Sequence, residues 1–283
     1  MKEYKEHFVA FLDILGFKEL LKESNCDEIY PIFDVLHTKS KAALNLNGTE
    51  IESYNYIHHM ILSDSIVLYI DASIKDAFAS LIDVCSRLQT SLANRDNPIL
   101  MRGGIVKGNL FCESDIIYGE GLTRAYLLES KLAKYPRIVF TGDTLEEGKE
   151  NTYYMFTEID GISRSYHKDK DGLYFVDYML HHLRLDAKEP ISYYSGLLNL
   201  CETYLNKEID FSLREKYLWL KEEVNKAIQI DSNTRDYFDK LREEESERKF
   251  KEYNERFSIY KNRLIGKISM VVDNDKPDDD SKS

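Results

Sequence analysis

Apolar residues fall into short dense runs near the N-terminus and longer one-sided stripes farther along the chain. Residues 8–17, Phe-Val-Ala-Phe-Leu-Asp-Ile-Leu-Gly-Phe, open as a buried strand: apolar, rich in β-formers and too short to span a membrane. Gly16 permits a sharp turn, and a helical pattern covers 17–24. A second helix is predicted over 27–46, with Pro31 in its first turn and Asn45-Leu-Asn-Gly48 ending it. Residues 51–57 and 60–71 read as two strands, or as one long strand with a bend. Ile74, Phe78, Leu81, Ile82, Cys85, Leu88 and Leu92 form a stripe that predicts a helix over 74–93. Residues 100–107 and 109–113 predict a hairpin around Lys107-Gly108-Asn109, followed by a helix over 120–133 and a strand over 137–141. This β-α-α-β-β-α-β-β-α-β order suits an α+β fold, a ferredoxin-like, antiparallel-rich sheet with helices on one face.

Beyond that core, strands are predicted over 152–158 and 172–179, with a polar, turn-rich segment over 160–171. From 191 the pattern is helical. Leu197, Leu198, Leu200 and Tyr204 mark one helix, and Tyr217, Trp219, Leu220 and Val224 another. Phe250, Tyr253, Phe257, Tyr260 and Leu264 form a heptad-like stripe that suits either packing in cis or a dimer contact. The predicted organisation is a catalytic domain over 1–185, a helical C-terminal extension over 186–272 and a disordered acidic tail over 273–283.

Composition narrows the function classes. The 283-residue chain is 43% hydrophobic, enough for a core, and carries a net charge of −12, which argues against a general nucleic-acid binder. No apolar run reaches membrane-spanning length, and the charged start Met-Lys-Glu-Tyr-Lys-Glu is unlike a secretory signal. Four widely spaced cysteines form no metal-ligand pattern and fit a reducing, cytoplasmic setting.

Two acids carry the candidate chemistry. Asp13 closes the first strand beside a glycine turn and a helix start, and Asp64 interrupts the apolar run 60–71. A carboxylate in an apolar strand is costly unless it is paired or bound to a cation. On neighbouring strands the two would repel, and divalent metal relieves that repulsion. Such a pair suits two-metal phosphoryl chemistry. Asp13 as a plain helix cap is the alternative.

Four stretches resemble the motifs of class III nucleotidyl cyclases, in family order. They are Phe11-Leu-Asp-Ile-Leu-Gly-Phe17, Ile61-Leu-Ser-Asp-Ser65, Arg102-Gly-Gly-Ile-Val-Lys-Gly108 and the helix Tyr118–Ser130. The resemblance implies a cyclase core and two Mg2+ or Mn2+ ions per site, held by Asp13, Asp64 and the carbonyl of Ile14. Backbone amides of Gly16, Phe17 and Lys18 would cradle phosphates, and Arg102 would contact phosphate, unless it is only a solvated strand-end arginine. Met60 stands where adenylate cyclases carry a purine-selecting lysine. Thr123 and Leu127 stand where the family has its transition-state Asn and Arg. Arg124 is a possible substitute for the latter, or a surface salt-bridge partner.

Metal positions kept and purine determinants lost is a pattern that resembles the bacterial pyrimidine cyclases of Pycsar antiphage systems. These form cyclic UMP or cyclic CMP, which a separate effector protein reads. Lys216-Tyr-Leu-Trp-Leu-Lys221 also resembles that group. If the strand through Asp64 is unbroken, alternation puts Tyr56, His58 and Met60 on the face of Asp64, as candidates for reading the base. Tyr118 opens the helix motif and joins the substrate-binding candidates. The resemblance further implies a homodimer with active sites at the interface. A degenerate cyclase that binds nucleotide without turnover is the competing reading. A palm polymerase or diguanylate cyclase is disfavoured by the acidic charge and by the lack of a Gly-Gly-Asp/Glu-Glu-Phe signature.

Overall fold

The computed structural model describes residues 2–41, 45–46, 49–50, 52–114, 116–152, 158–159, 162–163, 165–180 and 193–243. In chain order the elements begin with β1 (Lys5–Ile14), α1 (Phe17–Glu23), α2 (Cys26–Lys41), β2 (Asn45–Leu46), β3 (Thr49–Glu50) and a 3-10 helix over Glu52–Tyr56. Next come β4 (His58–Leu62), β5 (Ser65–Asp71), α3 (Ala77–Ala93), β6 (Met101–Glu113), β7 (Ile116–Tyr118) and α4 (Glu120–Leu132). They continue with β8 (Ile138–Phe140), α5 (Gly142–Lys149), β9 (Glu158–Ile159), β10 (Ile162–Ser163), β11 (Tyr166–Lys168) and β12 (Tyr174–Val176). Two helices, α6 (Tyr193–Leu205) and α7 (Phe211–Glu243), follow. The protein is α+β. An eight-stranded sheet runs β11-β12-β8-β6-β1-β5-β4, with β7 pairing to β6, and only β6 and β8 are parallel.

The period-2 alternation of β1 sets the layers. Phe8, Ala10, Leu12 and Ile14 enter a buried core with Ile66, Leu68 and Ile70 of β5 and the apolar stripe of α3; the Phe8 and Phe78 rings lie 5.0 Å apart. His7, Val9, Phe11 and Asp13 face the other way, where α4 packs. Phe11 meets Tyr126 edge-on at 5.3 Å. The expected single helical face is therefore corrected to two, because both faces of the central strands are apolar. Gly104 makes the second layer possible: a Cβ there would lie 2.7 Å from the Ala125 carbonyl oxygen and 2.8 Å from the Leu128 Cβ.

Several boundaries also differ from expectation. Residues 52–56 are 3-10 helix rather than strand. The run 60–71 is a hairpin, with Leu62 opposite Ser65 and a tight turn at Ser63 (φ 56°) and Asp64. Asp64 is thus a turn residue, and the alternation carried through it from Tyr56 does not hold. No hairpin forms at Gly108: β6 continues for 13 residues, because Gly108 serves close packing, a Cβ there meeting the Gly121 Cα at 2.9 Å. Helix α2 is described to Lys41, and Asn45–Leu46 form strand β2 rather than its last turn. Strand β11 lies within the stretch read as polar turns. Helix α5 was not anticipated; it has few apolar residues and is capped by Thr141, whose hydroxyl accepts from the Thr144 amide. All four cysteines are free, and Cys85 and Cys201 are buried.

The chain forms two compact units, Met1–Ile228 and Gln229–Ser283, and the packing described below belongs to the first. Of the second, only the end of α7 is described; the aromatic stripe over 250–264 and the acidic tail lie outside the described residues. Among the described residues no helix is long and apolar enough to cross a membrane.

Gly104→Ala tests the α4–sheet contact. The added methyl collides with backbone, so unfolding free energy should fall by about 1–3 kcal/mol in a denaturant melt. A wild-type midpoint would show that α4 is not seated this closely.

Candidate active site

Asp13 is the penultimate residue of β1, opposite Ser65 on one side and Arg102 on the other. The β4–β5 turn brings Asp64 to the same end of the sheet, where the Ile14 N–H donates to the Asp64 carbonyl at 3.0 Å. That bond leaves the Asp64 carboxylate free for other work. Gly16 follows with φ 75°, a left-handed conformation suited to glycine, and α1 begins there without a side-chain cap. The Phe17 side chain is buried against Phe33, rings 5.7 Å apart, whereas Lys18 is exposed. At this start of α1 the main chain, not the Phe17 ring, is available to a ligand.

Arg102 links the cluster. Its Nε donates to Asp13 Oδ2 at 3.3 Å, its Nη2 lies 2.7 Å from Glu129 Oε1, and its Nη1 reaches the Ala133 carbonyl at 3.5 Å. It is no free strand-end arginine. Glu129 projects from the sheet-facing side of α4, shared with Gly121, Ala125 and Leu128, and is 3% exposed. Burial pushes the Asp13 carboxyl above its usual range; Arg102 opposes this, and the Asp64 charge adds to it. Burial likewise raises Glu129, with Arg102 opposing and Asp13 and Asp64 adding. Three carboxylates therefore share one electrostatic neighbourhood, with one arginine paired among them. Lys216 of α7 also acts on Asp13, stabilising its charged form.

The other candidate residues lie elsewhere. Tyr56 is in the 3-10 helix, its hydroxyl 3.0 Å from Glu52. His58 stacks on Tyr69 at 5.2 Å, and Met60 pairs with Val67. Tyr118 packs on Phe111 in the β6–β7 hairpin, and Thr123 lies on the exposed face of α4 beside Leu127. Arg124 donates to the Lys107 carbonyl and pairs with Glu120, as a surface salt bridge would. A cavity of about 330 Å³ gathers Lys5, His7, Tyr56, His58, Asp71 and Cys112. It lies around His7, six residues from Asp13 along β1, or roughly 20 Å at strand rise.

Hard divalent ions take carboxylate and carbonyl oxygens and complete their shells with water or phosphate. Asp13 and Asp64, close enough for the Asp64 charge to raise the proton affinity of Asp13 and both partly exposed, fit such an ion. Among the described residues no group of three or more ligating side chains is assembled, so a bound ion would depend on main-chain or substrate oxygens as well. Glu129 and Lys216 had no assigned role from sequence. The inward placement of Glu129 follows the helical spacing Gly121, Ala125, Leu128, Glu129; Lys216 opens the segment Lys216–Lys221 noted above, but nothing local ties its side chain to Asp13.

No protein-family model and no curated protein matches the chain. Solved structures do. The monomeric guanylyl cyclase domain of the RhoGC fusion protein from the aquatic fungus Blastocladiella emersonii is 15% identical, with 62% of this chain and 96% of that one covered and a TM-score of 0.46. A bacterial light-regulated adenylyl cyclase is 14% identical, covering 65% and 98%, with a TM-score of 0.41. An adenylate/guanylate cyclase/hydrolase from Silicibacter pomeroyi is 13% identical, covering 62% and 98%, with a TM-score of 0.37.

The raised Asp13 pKa has a definite sign. A carboxyl whose proton is held more tightly in the folded state contributes stability below its unfolded pKa and loses it as pH rises through the folded value. Metal-free Asp13→Asn protein should therefore gain stability over wild type as pH rises from below 3.8 toward neutrality. Denaturant melts in chelator across that range test it; a gap that narrows with pH would contradict the burial of Asp13.

Proposed function

We propose that the protein is a metal-dependent nucleotidyl cyclase. The observation that carries this reading is the pairing of Asp13 and Asp64 at one sheet end through the Ile14–Asp64 backbone bond. Mg2+ or Mn2+ held by Asp13, Asp64 and the Ile14 carbonyl would supply Lewis-acid activation of a ribose 3′-hydroxyl and charge neutralisation on a triphosphate. The hydroxyl oxygen bonds to the α-phosphorus, the bond to the β-phosphate oxygen breaks, and pyrophosphate and the hydroxyl proton leave. Arg102, released from Asp13 while still braced by Glu129, orients phosphate. The amides of Gly16, Phe17 and Lys18 add donors.

The substrate in this reading is a pyrimidine nucleoside triphosphate, UTP or CTP. The support is Met60, which offers a base edge no hydrogen bond, and the cavity with Tyr56 and His58, which offers several. That cavity lies too far from Asp13 in one chain for a base that hangs one glycosidic bond from the ribose. A head-to-tail homodimer resolves this: one protomer supplies Asp13 and Asp64, and its partner supplies the cavity, Tyr118 and Thr123. Ile116, Tyr118, Tyr126 and Leu127 are exposed and give such a dimer an apolar face. The cyclic product would act in the cytoplasm as an antiphage signal read by a separate effector.

Purified protein with manganese and each of the four nucleoside triphosphates should cyclise UTP or CTP in preference to ATP and GTP. Asp13→Ala or Asp64→Ala should lower turnover by at least about a thousandfold, a loss of several kcal/mol, without unfolding the chain. Nucleotide binding with no turnover would favour a sensor, the reading that the uncharged Leu127 supports. Complementation tests the shared site: mixed Asp13→Ala and Thr123→Arg proteins should regain part of the activity that neither has alone. A fully active monomer would refute the dimer.

A further inference from the structure

We infer that Lys216, on the C-terminal helix α7, is a phosphate-binding residue of the Asp13–Asp64 site and takes the condensed phosphate chain of the substrate. The inference rests on the cyclase reading for the identity of that anion. Its geometry is independent of it.

The start of α7 is anchored beside the site by a buried aromatic and ionic cluster. Trp219 stacks on Tyr135 with rings 5.4 Å apart and nearly coplanar, meets Phe175 edge-on at 5.6 Å, and donates its indole N–H to Asp169 at 2.9 Å. Beneath it lies Arg137, fully buried, paired with Asp169 and Asp171, its guanidinium carbon 5.1 Å from the Tyr135 ring and 5.7 Å from Trp219. Tyr135 stands two residues from Ala133, whose carbonyl receives Arg102. Trp219 thus docks on the loop that borders the Asp13–Arg102–Glu129 cluster.

Lys216 is three residues before Trp219, on the same side of the helix. It is half-buried, and the Asp13 carboxylate feels its charge. Among the described residues it has no ion-pair partner within 4.0 Å. Three carboxylates and one arginine leave the cluster short of positive charge. An ammonium is a compact point charge on a flexible stem, well suited to a polyphosphate.

Inorganic pyrophosphate with Mn2+, titrated calorimetrically into the full-length protein, reads the site without turnover. Lys216→Met should weaken that binding at least about tenfold, the loss of a charge-assisted hydrogen bond. Lys216→Arg should restore it, and Lys221→Met, on the same helix but facing Glu202, should have no effect. Trp219 is the only tryptophan, so unchanged fluorescence in Lys216→Met shows α7 still docked. Wild-type pyrophosphate affinity in a docked Lys216→Met protein would overturn the inference, whatever the enzyme turns over. Lys216-dependent pyrophosphate binding by a protein that cyclises no nucleotide would uphold it and reject the cyclase reading instead.

Discussion

Asp13 and Asp64 meet at one end of the sheet, and two carboxylates held there need positive charge, which Arg102 and Lys216 bring. The backbone bond from Ile14 to Asp64 keeps the two acids from separating. Arg102, between Asp13 and Glu129, answers part of the repulsion from within the fold. In the proposed cyclase, divalent ions and the phosphates they bring would meet the remaining demand. Burial sharpens the requirement, because charges removed from water interact more strongly and cost more when unpaired.

Helix α4 connects that electrostatic constraint to packing. Its inner side carries small residues that let it lie close to β1 and β6, and the same side delivers Glu129 to Arg102. Its outer side carries Thr123, Arg124, Tyr126 and Leu127. One helix thus serves the acidic cluster of its own chain while presenting a separate surface. Helix α7 is coupled to the cluster in a comparable way: Arg137 is tolerated at full burial because Asp169, Asp171 and three aromatic rings surround it, and Trp219 seals that arrangement. The start of α7, within the first compact unit, is by this means part of the environment of Asp13.

Strand β1 alone reveals how the sheet divides its functions. Its residues on the α4 side begin at His7, beside a cavity of mixed polar and apolar lining, pass beneath α4 through Val9 and Phe11, and end at Asp13. Between the two polar ends lies an apolar stretch. In the proposed dimer the acidic end of one chain would therefore meet the cavity end of another.

Where the apolar pattern is strong and local, the sequence was sufficient. The period-2 and helical apolar patterns of β1, α3 and α4 identify those elements, and Asp13 beside Gly16 is a strand end and turn in the linear chain itself. Asp64 was legible as an acid among apolar residues, but its turn was not, since Ser63 adopts positive φ without the glycine or asparagine that normally marks it. Gly108 misled for the converse reason: it reads as a turn, yet only the approach of Gly121 requires it. Tertiary structure alone decided that Arg102 joins Glu129 to Asp13, that α4 occupies a second face, and that Lys216 arrives more than two hundred residues after the acid it influences. Apolar periodicity is written along one dimension because each segment must bury its own face. The meeting of charges depends on how those segments pack, and no local pattern encodes it.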